Sequence, residues 1–229
     1  MLIKGFQKTT LLDFPEKVAC TVFTGGCNFR CPFCHNASLV THIDTNSVIE
    51  ENEVFDYIKR RRGILDGVCI TGGEPMLQKD ISDFCQKIHD LGLLVKLDTN
   101  GSFPERLKAL IDKRLIDYVA MDIKNSPTEY SRTCGIDTLP AGVEKSIDLL
   151  MNSNIDYEFR TTVVRELHTK KSMEELAMRI SGAKRYFLQT FTDSGDLIEN
   201  GYSAYDEKEM GELLNIVKMY VPNAKLRGI

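Results

Sequence analysis

Val18-Ala19-Cys20-Thr21-Val22-Phe23-Thr24-Gly25-Gly26-Cys27-Asn28-Phe29-Arg30-Cys31-Pro32-Phe33-Cys34-His35-Asn36 reads as a strand running into a cysteine loop. Val18 to Thr24 are mostly apolar and β-branched, which suits a buried strand. Two glycines follow, and then Cys27, Cys31 and Cys34 stand on a Cys-x3-Cys-x2-Cys spacing with no fourth cysteine nearby. Three thiolates and a gap describe an open metal site. An iron–sulfur cube takes a cysteine on each iron, so holding it by three leaves one iron for an outside ligand.

The same design, an apolar strand ending in a polar motif, recurs along the chain. Val68-Cys69-Ile70 ends in Thr71-Gly72-Gly73-Glu74-Pro75, and Leu93 to Leu97 ends in Asp98-Thr99-Asn100-Gly101. Tyr118-Val119-Ala120-Met121 runs into Asp122-Ile123-Lys124-Asn125, Ile155 to Val164 carries Arg160, and Tyr186 to Phe191 carries Gln189. Helical patterns alternate with these strands. Val48 to Arg62 is amphipathic, with Asp44, Thr45, Asn46 and Ser47 as candidate caps, and Ile81, Phe84, Cys85, Ile88 and Leu91 mark a helix stopped by Gly92. Pro104 opens a helix over Leu107, Leu110 and Ile111, and further helices are expected over Ala141–Met151, Met173–Ile180 and Asp206–Tyr220.

Six strand–helix units predict a parallel sheet with right-handed crossovers. The polar motifs fall at the C-terminal strand ends, the rim on which barrel-type α/β folds assemble their sites. Six units are fewer than the eight that close a barrel. The expected fold is therefore α/β, a partial (β/α)6 TIM-like barrel left laterally open, as a single domain over residues 1–229.

At 229 residues and 42% hydrophobic, the chain can bury a sizeable core. A formal charge of -4 gives no basic footprint, so nucleic acid is not expected as a partner. Arg60-Arg61-Arg62 reads as the solvated end of a helix, where cations meet the carbonyl dipole. The first residues lack the apolar core of a signal peptide and no window approaches a membrane span, so a cytoplasmic protein with no membrane partner is expected. In that reducing compartment seven cysteines are free thiols or metal ligands rather than disulfides. Cys20, Cys69 and Cys85 lie in apolar segments and read as core, whereas Cys134 falls in an expected loop open to solvent. His89 and His168 read as an ordinary helix position and a loop position.

Spacing alone leaves the cysteine loop with several readings. Structural zinc on three thiolates plus His35 or His42 is one, although His35 directly follows Cys34. Cys31-x-x-Cys34-His35 also matches haem attachment, which belongs to exported proteins, and a thioredoxin-like dithiol leaves Cys27 without a purpose.

Cys-x3-Cys-x2-Cys with Phe33 before the third cysteine resembles the signature of the radical S-adenosylmethionine (SAM) superfamily. His35-Asn36 is similar to its glycyl-radical-enzyme activating branch, and most of the chain resembles the anaerobic ribonucleoside-triphosphate reductase activating proteins. Thr71-Gly72-Gly73-Glu74-Pro75, Asp98-Thr99-Asn100-Gly101, Met121-Asp122-Ile123-Lys124 and Phe159-Arg160-Thr161-Thr162-Val163 carry that likeness.

The resemblance implies a [4Fe-4S] cluster on Cys27, Cys31 and Cys34, with SAM on the free iron. It implies reductive cleavage of SAM to methionine and a 5′-deoxyadenosyl radical that abstracts hydrogen from a glycine of a partner enzyme. The implied partners are a glycyl radical enzyme, first an anaerobic ribonucleotide reductase, and a flavodoxin or ferredoxin-type electron donor. Activators of pyruvate formate-lyase type, small-molecule enzymes such as 7-carboxy-7-deazaguanine synthase, and a non-catalytic zinc module are the alternatives.

Phe33, Cys34, His35 and Asn36 are implied cofactor contacts. Gly72 and Gly73 would let backbone approach the methionine amino group, with Glu74 as partner of that ammonium or a local anchor. Lys124 is a candidate donor to the methionine carboxylate. Arg160 is expected to reach Glu74 or a ligand carboxylate or to form a structural salt bridge, and Gln189 to reach adenine or only backbone. The likeness also implies a monovalent cation held by Asp98, Thr99, Asp122 and a backbone carbonyl at Ala120 or Met121. The alternative is that the aspartates cap loops or pair with Lys96 and Lys124.

Overall fold

Eight strands, ordered β1 to β8 as they occur in the chain, make up the sheet of the computed structural model, which describes residues 1–41, 47–137 and 141–228. Asp44, Thr45 and Asn46, expected as caps, and His42 lie outside the described residues. The chain divides into two compact units: Met1–Asn28 with Ser38–Thr99 and Phe103–Ala120, and Phe29–Ala37 with Asn100–Ser102 and Met121–Ile229.

The first unit holds β1 (Ile3–Thr10), β2 (Ala19–Thr24), α2 (Glu51–Arg60), β3 (Gly67–Gly72), α3 (Ile81–Asp90), β4 (Leu94–Thr99), α4 (Pro104–Asp112) and the start of β5 (Tyr118–Asp122). The four-residue helix α1 (Ala37–Val40) precedes α2. β2 pairs parallel with β3, and β3 with β4, so Thr24 stands beside Gly72 at the C-terminal ends. α3 buries Ile81, Phe84, Cys85 and Ile88, the i, i+3, i+4, i+7 stripe of its sequence. Its Phe84 ring meets Phe55 of α2 at 5.1 Å between centroids. α2 is shorter than the expected Val48–Arg62 because Val48 is exposed and adds nothing to the buried face.

The second unit holds the end of β5, α5 (Tyr130–Cys134), α6 (Ala141–Met151), β6 (Asp156–Val163), α7 (Lys170–Arg179), β7 (Tyr186–Thr190), α8 (Glu207–Lys218) and β8 (Lys225–Arg227). β6, β7 and β8 pair in parallel. Capping boxes fix two helix starts, Thr169 with Ser172 for α7 and Asp206 with Glu209 for α8. The first of these begins α7 three residues before the expected Met173.

The six expected strands are present, and the fold class is the expected mixed α/β one, with β1 and β8 at the ends of the strand order. Two strands, β1 and β8, and two helices, α1 and α5, go beyond the expectation. β1 pairs antiparallel with β2 through two register shifts and has mostly half-buried or exposed residues, which blur its alternation. α5 falls where a loop was expected, so Cys134 is corrected from a solvent-open position to a fully buried one. No helix among the described residues is long and apolar enough to cross a membrane.

Candidate functional site

In the first unit the turn after β3 is locked against the chain just ahead of Cys27. Gly73 N donates to Thr24 O at 2.8 Å, and Glu74 N donates to Gly26 O at 2.7 Å. Gly72 has φ 110°, and a Cβ there would stand 2.4 Å from Thr24 N; at Gly73 it would stand 2.0 Å from Gly26 O. The missing side chains are thus needed first for the chain's own backbone. Gly73→Ala is expected to push Gly26 aside, cost about 3 kcal/mol by overpacking and lower iron uptake on reconstitution. Thermal unfolding and iron analysis check this, and unchanged values for both would contradict it.

Glu74 is fully buried, and its Oε1 accepts from Met76 N and Thr99 Oγ1, both at 2.9 Å. It is a local anchor that ties the ends of β3 and β4. Asp98 accepts from the ammonium of Lys96, a lysine only 1% exposed, whose Nζ also stands 3.8 Å from Cys69 Sγ. A buried ammonium requires such a partner. Cys20, Cys69 and Cys85 are core residues as expected, and burial pushes the Cys20 and Cys85 thiols up to about 12.

The second unit gathers Cys31 and Cys34 with the end of β5. Asp122 accepts from Lys124 Nζ at 2.9 Å and from Arg160 Nε at 2.8 Å. Burial raises the Asp122 carboxyl, but the two cations outweigh it and hold the group well below the carboxylate range. Burial likewise works against the Lys124 ammonium, and Asp122 and then Cys31 hold it above the usual lysine value. The ion pair of the plainer sequence reading is present at both aspartates. Among the described residues no three His, Cys, Asp or Glu side chains are gathered as tightly as a single metal ion requires.

The two cysteines differ in character. The Cys31 thiol is lowered, first by a hydrogen bond from the Cys134 thiol and, against burial, by the Lys124 ammonium. Burial raises Cys34, partly offset by the backbone N–H of Asn36. Phe33 is buried, His35 is exposed with its ring edge-on to Phe191 at 5.5 Å, and the loop after β7 holds the cysteine loop through Glu199 N donating to Pro32 O at 2.9 Å. Gln189 is half-buried on β7.

Four further residues take on parts that the sequence reading does not show. His168 sits in a loop as expected but is fully buried: Val164 N donates to its Nδ1 at 3.0 Å, and its Nε2–H donates to Lys124 O at 2.8 Å, a tautomer assigned from this network. Asn125 beside it donates to Leu167 O at 2.8 Å, so two bonds fix the Asp122–Lys124 loop. The hydroxyls of Tyr130 and Thr190 are buried with no hydrogen-bond partner in the structure, and buried hydroxyls ordinarily have one.

Burial lowers the His168 pKa from its usual 6.5. The unfolded chain therefore binds a proton at pH values where the folded one does not, and stability falls as pH drops through about 6.5 towards the folded value. Urea unfolding midpoints of the wild type at pH 7.5 and 5.5 should differ more than those of His168→Gln. Equal differences would contradict the role.

Cys31, Cys34 and Lys124 suit a bound iron–sulfur cluster: two thiols, one already lowered, beside a fixed cation, with an orphaned hydroxyl from Tyr130 nearby. Comparison with known proteins agrees. The Radical SAM superfamily model matches residues 21–180. A Methanocaldococcus jannaschii protein that carries the provisional name glycyl-radical enzyme activating enzyme is 32% identical over 100% of this chain and 96% of its own length. Among solved structures, Streptococcus suis SuiB bound to its precursor peptide SuiA covers 91% of this chain and 48% of its own, with TM-score 0.71 and 16% identity. A domain of pyruvate-formate lyase-activating enzyme from Bacteroides vulgatus covers 71% of this chain and 99% of its own, with TM-score 0.59 and 18% identity. At those identities the two structures speak for the fold.

Proposed function

The chain belongs to the radical SAM superfamily, whose cofactors are a [4Fe-4S] cluster and SAM, and from that premise we propose that it installs a glycyl radical on a partner enzyme. The observation that carries this is the likeness to the Methanocaldococcus jannaschii protein along nearly the whole of both chains. His35-Asn36 after the third cysteine supports the same branch. An anaerobic ribonucleotide reductase is the partner proposed first, with a flavodoxin or ferredoxin-type electron donor, and the cytoplasm is the proposed location.

Cys27, Cys31 and Cys34 would hold the cluster, which when bound supplies the electron that splits SAM into methionine and a 5′-deoxyadenosyl radical. The protein's part is orientation and charge. Lys124, held above its usual pKa, stays cationic throughout and offers an ammonium to a carboxylate or thiolate. Asp122 and Arg160 fix that ammonium in place. The Glu74 carboxylate ties the segment after the Gly72-Gly73 turn to Thr99, and His168 and Asn125 hold the loop that carries Lys124.

A monovalent cation near Asp98, Thr99, Met121 and Asp122 is part of the same proposal, although Lys96, Lys124 and Arg160 already compensate both carboxylates. SAM affinity in buffer free of alkali ions tests it: a loss supports the cation, and an unchanged value removes it.

The partner assignment is tested by mixing the reduced, reconstituted protein with SAM and a candidate reductase. A glycyl-radical doublet in electron paramagnetic resonance is expected. Normal deoxyadenosine release without the doublet would show that another partner is the substrate.

A further inference from the structure

α5 is a five-residue helix in the second unit, and it is fastened to the cysteine loop. Arg30 N donates to Cys134 O at 2.8 Å. Gly135 ends the helix at φ 61°, so close to the loop that a Cβ would stand 2.2 Å from Arg30 O, a contact no other residue type tolerates there. Cys134 is fully buried, and from its place beside Arg30 it is the hydrogen-bond partner that lowers the Cys31 thiol. Four residues earlier, on the same helix face, Tyr130 is also buried. Its ring stands edge-on to Phe29 at 6.4 Å between centroids, and its hydroxyl proton has no acceptor in the structure.

Cys134 differs in kind from the other buried cysteines outside the loop. Cys20 and Cys85 are desolvated thiols of the core, whereas Cys134 meets a residue assigned to hold the cluster. A donor to a ligand sulfur acts selectively. One-electron reduction adds negative charge that spreads onto the sulfurs, so the hydrogen bond strengthens in the reduced state and raises the reduction potential.

We infer that Cys134 is a positioning residue of the cluster: its thiol hydrogen-bonds the iron-bound sulfur of Cys31 and holds the cluster's reduction potential up. The inference rests on the cluster assignment made above. It gives α5 a purpose that packing alone does not, since the helix is too short to be stable by itself.

The test is a potentiometric titration of the reconstituted protein without SAM, followed by electron paramagnetic resonance, for wild type, Cys134→Ala and Cys134→Ser. With alanine the donor is gone. At the wild-type midpoint its reduced-to-oxidised ratio should fall about threefold, which for a one-electron couple is about 30 mV. Serine keeps a donor and should recover most of the shift. An unchanged midpoint in the alanine variant with full iron overturns the inference, as does a serine variant shifted as far as alanine. A three-iron signal in the alanine variant that wild type prepared alongside it lacks would overturn it too, by making Cys134 a ligand.

Should the alanine variant bind no iron, the wild type decides. After exchange into D2O its reduced cluster should show a coupled deuteron that Cys134→Val lacks; no such coupling in the wild type overturns the inference. Wild-type protein that binds no iron would instead sink the cluster assignment, so the two failures are distinguishable.

Discussion

Replacing Cys27, Cys31 and Cys34 together by alanine is expected to leave a folded protein that takes up no cluster. Iron after anaerobic reconstitution should fall from about four per chain to near none. SAM cleavage should fall by at least about 10³-fold, or about 4 kcal/mol of barrier. The fold should survive because the buried core of β2, β3 and α3 lies outside the loop and needs no metal. A structural zinc site behaves oppositely, since its binding energy is folding energy. Far-UV circular dichroism beside iron and deoxyadenosine analysis separates the readings. Retained brown colour in the triple variant would contradict the ligand assignment, and loss of fold with the metal would favour zinc.

The second large effect concerns stability. Asp122→Ala removes the carboxylate shared by Lys124 and Arg160 and leaves two partly buried cations facing each other. Breaking a buried pair from one side costs about 3–5 kcal/mol, and partial exposure brings this towards about 3. For a chain of this length the melting temperature should drop by roughly 6–12 °C. The Asp122→Ala/Arg160→Met double variant should recover part of the loss, because one unpaired charge is gone. Additive losses in the two variants would show that the pair is not the source. The SAM affinity of the single variant should also fall, since Lys124 loses the partner that fixes it.

Much of the fold was legible because its periodic patterns are strong. α3 shows every apolar position of its buried stripe in sequence, and β3 and β4 are short buried runs ended by glycine or polar motifs. β1 was hidden by register shifts and by Lys4, Gln7 and Lys8, which break its alternation, and β8 by having only three residues. A periodicity reading cannot see such edges.

At the site, sequence spacing identified the cysteine loop and the motif at each strand end, since those signals are local. The partners of these motifs are not. Lys96 reads as one polar residue in a strand, and only the fold shows its ammonium buried on Asp98. Cys134 lies 103 positions from Cys31, in a segment with no apolar period, so no spacing rule connects them. His168 likewise reads only as a loop position until the Lys124 carbonyl is found beside it.

The central claim is that three cysteines hold a cube whose remaining iron binds SAM. Electron–nuclear double resonance of the reduced, reconstituted protein tests it most directly, using SAM labelled with 15N in its amino group and 17O in its carboxylate. Hyperfine coupling of both labels to the cluster is the predicted result. SAM bound at full occupancy with neither label coupled would contradict the account.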